Sequence, residues 1–143
     1  MAKRIIHAVE IGASAERAWS VFCDLATWPR WFPTLERVER PGSGPFRLRE
    51  ELVLHLAFRG RGAPVKVRVE ELGPERVRWV GRSFGVTGDH AFFTERVDEG
   101  RCRFASEEVF SGFPVRLIPG FLFAEIERET VAGLKRFRRL VET

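Results

Sequence analysis

The sequence predicts an α+β fold, a curved antiparallel sheet of about seven strands wrapped around one long C-terminal helix. The element order is β-α-α-β6-α, with an internal cavity. Three observations predict this. An aromatic-rich segment at 11–33 follows the first strand; apolar and polar side chains alternate from about 46 to 112 between turn signals; and from about 119 the apolar period becomes 3.6. A sheet with one apolar face and a helix with one apolar stripe bury both by packing together. Where a curled sheet bends away from the helix, a cavity remains unless bulky side chains fill it. The 143 residues read as one domain, 1–143, long enough for a core without disulfide or metal.

Residues 4–11 read as a strand with Ile5, Val9 and Ile11 on one face, a phase that His7 shares. Ser14 is placed to cap a helix over 15–22, whose stripe is Ala18, Trp19 and Phe22. Asp24 can cap the next short turn, and Pro29 and Pro33 keep that turn from lengthening. On this reading Trp19 is core, while Trp31 sits on the rim of the chamber. A strand at 35–40 ends in Pro-Gly-Ser-Gly-Pro, 41–45. From 46 to 58 the even positions are Phe46, Leu48, Leu52, Leu54, Leu56 and Phe58, and the odd ones include His55, read as exposed. Val65, Val67 and Val69, then Val77 and Trp79, continue the alternation beyond turns at 60–62 and 73–74. Two further strands, 84–97 and 101–112, are joined by Asp98-Glu99-Gly100. The final helix, 119–142, carries Leu122, Ile126, Gly133, Phe137 and Leu140 on one face, and Pro119 suits its first turn.

The net charge of +4 is scattered, with acids and bases alternating through 66–78 and 125–142 as on a solvated face. This argues against nucleic acid as a partner. The basic cluster Lys135-Arg136-x-Arg138-Arg139 is placed favourably for a helix C-terminus. There is no membrane-spanning run, so no stable membrane insertion is expected, and Cys23 and Cys102 match no metal-ligand spacing. The expectation is a cytoplasmic protein without metal or cofactor. The chain has no Tyr, Asn or Gln, and 21 of its 24 basic residues are Arg, as in a thermophile or a GC-rich genome. Buried chemistry must therefore come from His, Ser/Thr, carboxylates, Arg, Trp N–H or backbone.

If Gly100 occupies the left-handed position of a three-residue hairpin loop, Val97 pairs with Arg101, Glu95 with Arg103, Phe92 with Ser106 and His90 with Glu108. Phe92, Phe104 and Phe110 share that face, so an imidazole and a carboxylate stand side by side on an apolar wall. They either satisfy each other, grip a ligand's polar head, or act in acid–base chemistry. A one-residue slip would send both to solvent.

Several segments together resemble the START/polyketide-cyclase/pollen-allergen superfamily, whose fold is called the helix grip. They are Ile11-x-Ala13, Ala15-Glu16-Arg17-Ala18-Trp19, Asp24 and Trp28-Pro29-x-Trp31-x-Pro33, with Gly88-Asp89-His90 and Glu108-x-Phe110-x-Gly112 later. The resemblance covers nearly the whole chain, and the later segments point to the small bacterial branch. It implies a hydrophobic cavity between sheet and C-terminal helix, used for lipids, quinones or polyketide-like molecules. The residues expected to line it are Trp31, Leu52, Leu54, Val67, Trp79 and Phe92, with Phe104, Phe110, Phe121 and Ile126. His90 and Glu108 would supply the polar contacts. Phe113, Leu117, Phe121 and Trp31 would form its mouth. The leading reading is a non-catalytic binder or carrier of a small apolar ligand, as a monomer or homodimer. One alternative is a cyclase or dehydratase with His90 as base and Glu108 orienting it. Another is a protein-interaction module using the apolar mouth.

Overall fold

The computed structural model describes residues 2–143. Its elements are β1 (Ala2–Ile11), α1 (Ala15–Cys23), a 3-10 turn (Leu25–Thr27), α2 (Trp28–Trp31), β2 (Leu35–Glu39), β3 (Glu51–Phe58), β4 (Arg61–Gly73), β5 (Arg76–Ser83), β6 (Val86–Asp98), β7 (Arg101–Ser111), a second 3-10 turn (Phe113–Leu117) and α3 (Gly120–Glu142). The seven strands form one antiparallel sheet in the order β1-β7-β6-β5-β4-β3-β2. The sheet curls around α3, which is the predicted helix-grip architecture.

Local chemistry fixes the entry into the sheet. Ser14 Oγ accepts from the Arg17 N–H at 3.1 Å and starts α1, and Asp24 accepts from Ala26 N–H at 3.3 Å to start the 3-10 turn. Trp28, at the start of α2, donates its indole N–H to the Phe22 carbonyl at 2.7 Å. Thus α1, the turn and α2 form one aromatic plug. Phe22 is its hub, within 4.8–6.1 Å of the rings of Trp19, Trp28, Trp31, Phe46, Phe92 and Phe104. Ring pairs at this spacing add to the area term of burial.

α3 closes over the plug. Phe137 stacks on Phe104 at 4.2 Å and packs at a tilt against Trp31 at 4.8 Å. Gly133 makes that approach possible, since a Cβ there would lie 2.5 Å from the Trp31 carbonyl oxygen. Only a residue without a side chain lets α3 sit this close to α2.

Several expectations change. Trp31 is not at a rim: it is 1% exposed, held between Phe22, Phe92 and Phe137. Trp19, read as core, is half-buried at the plug's outer edge. β3 begins at Glu51 rather than 46, because residues 40–50 form a loop pinned by the Arg40–Glu50 ion pair, with Arg40 also donating to the Gly44 and Pro45 carbonyls. Phe46 is buried through its contact with Phe22 and Trp28, whereas Leu48 is exposed. Phe84 lies in the β5–β6 turn at positive φ and is exposed, not part of a strand. His55 is half-buried, with Nε2 3.0 Å from a Glu39 oxygen. His7 shares the inward phase and meets Glu127 of α3 at 2.7 Å.

Candidate functional site

The register of the β6–β7 hairpin decides the site. Glu95 pairs with Arg103, Phe92 with Ser106 and His90 with Glu108. The expected Val97–Arg101 pair is replaced by Asp98–Arg101, because a bulge between Arg96 and Asp98 absorbs one residue at the turn. Below the bulge the register is the predicted one. Directly paired residues project to the same face of a sheet. Glu108, His90 and Trp79 therefore form one row across β7, β6 and β5, and Phe110, Gly88, Gly81 and Val67 form the next across β7 to β4.

That second row explains why there is a cavity. Gly81 and Gly88 are paired neighbours and put no side chain on the concave face. Val67 covers Gly81, whereas a Cβ at Gly88 would meet nothing closer than a Phe110 ring carbon at 3.9 Å; the outer lobe of about 180 Å³ opens there, walled by Leu54, Val65, Val67, Trp79 and Phe110, among others. An inner lobe of about 230 Å³ lies toward α3, walled by Pro33, Phe58, Ile126, Glu129 and Thr130. Phe32, Leu56, His90, Glu108 and Phe110 border both lobes, which makes them one bent chamber. Either lobe alone falls below the roughly 300 Å³ at which small-molecule pockets begin; the two joined reach it.

The polar fixtures are ordered by depth. His90 Nε2 is 2.8 Å from Ser106 Oγ, which is 2% exposed, and His90 Nδ1 is 3.5 Å from Glu108 Oε2. Phe92 stacks on the imidazole at 4.2 Å. Burial disfavours both charged forms, lowering the His90 pKa to about 3 and raising that of Glu108 to about 7. Between about pH 3 and about pH 7 the pair is uncharged. A protonated Glu108 can then face Nδ1 while the Nε2 proton goes to Ser106.

The expected lining residues separate into two groups. Leu54, Val67, Trp79, His90, Glu108, Phe110 and Ile126 border the chamber. Trp31, Leu52, Phe92 and Phe104 lie in the aromatic core behind it, because the plug occupies that end of the groove. Phe121 is exposed, beneath the Arg59 guanidinium at 5.6 Å, and Phe113 and Leu117 are exposed too. Sequence reasoning missed Phe32, Leu56 and Ser106. The first two follow from how α2 and β3 tilt over the sheet; Ser106 was legible in the register, one pair from His90.

A larger depression of about 840 Å³ lies beside Trp19, Cys23 and Pro29. It is a surface hollow remote from His90, and its polar groups are engaged: Asp24 caps a turn, Arg37 binds Glu39 and Arg40 binds Glu50. The chamber is the better candidate. Among the described residues no helix is long and apolar enough to cross a membrane, and no cluster of His, Cys, Asp or Glu could hold a metal ion.

Solved structures share this architecture. The Zhui aromatase/cyclase from Streptomyces sp. R1128 superposes with a TM-score of 0.79 at 18% identity, over 99% of this chain and 94% of that one. A START superfamily protein from Mycobacterium smegmatis gives 0.76 at 18%, over 97% of each chain. A truncated norcoclaurine synthase from Thalictrum flavum gives 0.72 at 17%, over 99% and 94%. At such identities the likeness is one of fold. No curated protein matches the sequence significantly. The family model described as polyketide cyclase/dehydrase and lipid transport matches residues 3–142, and the chain belongs to that family.

Proposed function

We propose that the protein holds a small, largely apolar molecule in the two-lobed chamber, with His90 and Glu108 orienting its polar end, and that holding or carrying it is the activity. The observation that carries this reading is the unfilled space over Gly88, walled by apolar side chains and furnished with the His90–Glu108 polar pair. Deep apolar pockets with a few convergent polar groups are the usual form of a small-molecule site. The family description, cyclase/dehydrase and lipid transport, agrees with such a ligand.

The test uses Gly88→Val. A Cβ at Gly88 meets nothing closer than a Phe110 ring carbon at 3.9 Å, so valine fits the strand and intrudes on the outer lobe. Native mass spectrometry of the purified wild-type protein is expected to show a bound small molecule, and Gly88→Val is expected to lose it while staying folded. A wild-type protein that carries nothing, and whose melting temperature moves with no fatty acid, quinone, aromatic polyketide or aromatic amine, overturns the reading.

One observation favours turnover as a second reading. His90, held near 3, is too weak a base for neutral pH, but Glu108, near 7, has the value that general acid–base catalysis favours. On that reading Glu108 is the acid–base and His90 its orienting partner, the reverse of the sequence expectation. A Glu108→Gln protein that still binds an aromatic polyketide but no longer converts it supports turnover. Binding without conversion by the wild type removes it.

A further inference from the structure

The chain has 24 basic residues against 20 acidic ones, so a chamber wall drawn at random would carry guanidinium groups. Among the described residues, neither lobe is lined by a single Lys or Arg. The charged types present are acidic: Glu108 from β7 borders both lobes, and Glu129 from α3 borders the inner one. His90 from β6 is the third titratable group, and β3, β4, β5 and the α2–β2 turn contribute none to the wall. Among the described residues neither glutamate has a guanidinium or ammonium partner, although many of the chain's other carboxylates do. The aromatic walls add to this. Phe32 and Phe110 border both lobes, Trp79 borders the outer and Phe58 the inner, presenting the ring faces that attract a desolvated cation.

We infer that the polar end of the ligand is a protonated amine, seated between Glu108 and Glu129 in the inner lobe with its apolar body in the outer one. The inference rests on the ligand-holding reading above and narrows it. A carboxylate or phosphate head would find no Lys or Arg on the wall and would face Glu129 and, once ionised, Glu108, so free fatty acids and phospholipid heads are disfavoured. An ammonium supplies the counter-charge the wall lacks. The Glu108 carboxyl, whose one close polar partner is the neutral His90 imidazole, is held uncharged by burial, and an arriving cation favours its ionised form, so the amine binds with release of a proton below neutral pH.

The experiment is calorimetric titration with three probes of one shape, 2-(2-naphthyl)ethylamine, 2-(2-naphthyl)ethanol and 2-naphthylacetate, at about pH 6, where the free amine is cationic and Glu108 is protonated. The amine is expected to bind at least about tenfold more tightly than the alcohol, and the acetate more weakly than either. Repeating the titration in buffers of different ionisation enthalpy is expected to show a proton released with the amine and none with the alcohol. Glu108→Gln is expected to abolish the release, and Glu129→Gln to lower amine affinity by a larger factor than the alcohol's. Equal affinities for amine and alcohol, or a preference for the acetate, overturn the amine assignment and leave the chamber intact as an apolar site. Failure of all three probes to bind overturns the assignment together with the ligand-holding reading.

Discussion

The two ends of the concave groove are built from the same sheet and the same kinds of side chain, yet one is solid and the other hollow. At the solid end α1 and α2 feed Phe22, Trp28 and Trp31 against Phe92, Phe104 and Phe137, all at most 1% exposed. At the hollow end the sheet offers Gly81 and Gly88, and α3 presents Ile126 and Thr130, which are too short to reach the floor. The aromatic residues that could have filled it, Phe113 and Phe121, face outward instead. Aromatic content therefore does not decide whether a helix grip encloses a chamber. What decides it is which elements deliver the rings, and whether glycines occupy the row beneath.

The largest expected effect lies at the solid end. Phe22→Ala removes the hub of the plug and is expected to lower stability by about 3–5 kcal/mol, read from urea unfolding midpoints. Gly133→Ala comes next. It forces α3 off the Trp31 carbonyl and should lower stability by about 1–3 kcal/mol, with a matching fall in melting temperature. At the hollow end Leu56→Ala is expected to lower it by less, about 1 kcal/mol or so, because the side chain is only half-buried and already borders empty space. Equal losses for Leu56→Ala and Phe22→Ala would mean that the chamber collapses in solution and that the contrast between the ends is false.

A further effect, confined to the hollow end, depends on pH. His90 has a folded pKa below its ordinary 6.5, so its contribution rises as pH climbs from about 3 to 6.5. Glu108 has a folded pKa above its ordinary 4.5, so its contribution is full below 4.5 and fades as pH rises to about 7. Between 4.5 and 6.5 the two slopes oppose each other. Glu108→Gln removes the falling one, and its stability relative to wild type is expected to increase between about pH 5 and about pH 7 in denaturant titrations. Parallel profiles for the two proteins would show that the carboxyl is not held uncharged. The smallest effect belongs to the outward rings: Phe121→Ser should change stability by within about 0.5 kcal/mol, measured by thermal unfolding.

Most of the architecture was legible in the sequence because strand and helix periods are local properties. The Ser14 and Asp24 caps, the β6–β7 register and the long final helix all followed from neighbouring residues. The site was legible as far as one hairpin reaches, which brought His90 and Glu108 together. What local patterning could not supply was the contact between distant elements. Trp31 turns inward because α3 carries a glycine about a hundred residues away, and Leu48 leaves the sheet because Arg40 and Glu50 close the loop around it. The glycine pair was visible in the letters as well. Its meaning depended on the strands beside it, since Val67 covers Gly81 and only Gly88 opens onto the lobe.

Of the four tryptophans, Trp28 and Trp31 are sealed in the plug and Trp19 lies on the far side of it, while Trp79 alone forms part of the chamber wall, its ring 5.9 Å from the His90 imidazole. The molecule thus carries an intrinsic optical reporter at its own candidate site. Occupancy of the outer lobe should alter the emission of one indole against a constant background from the other three. A Trp79→Phe protein would keep the background and lose the response, so filling of the chamber can be followed in real time without a label.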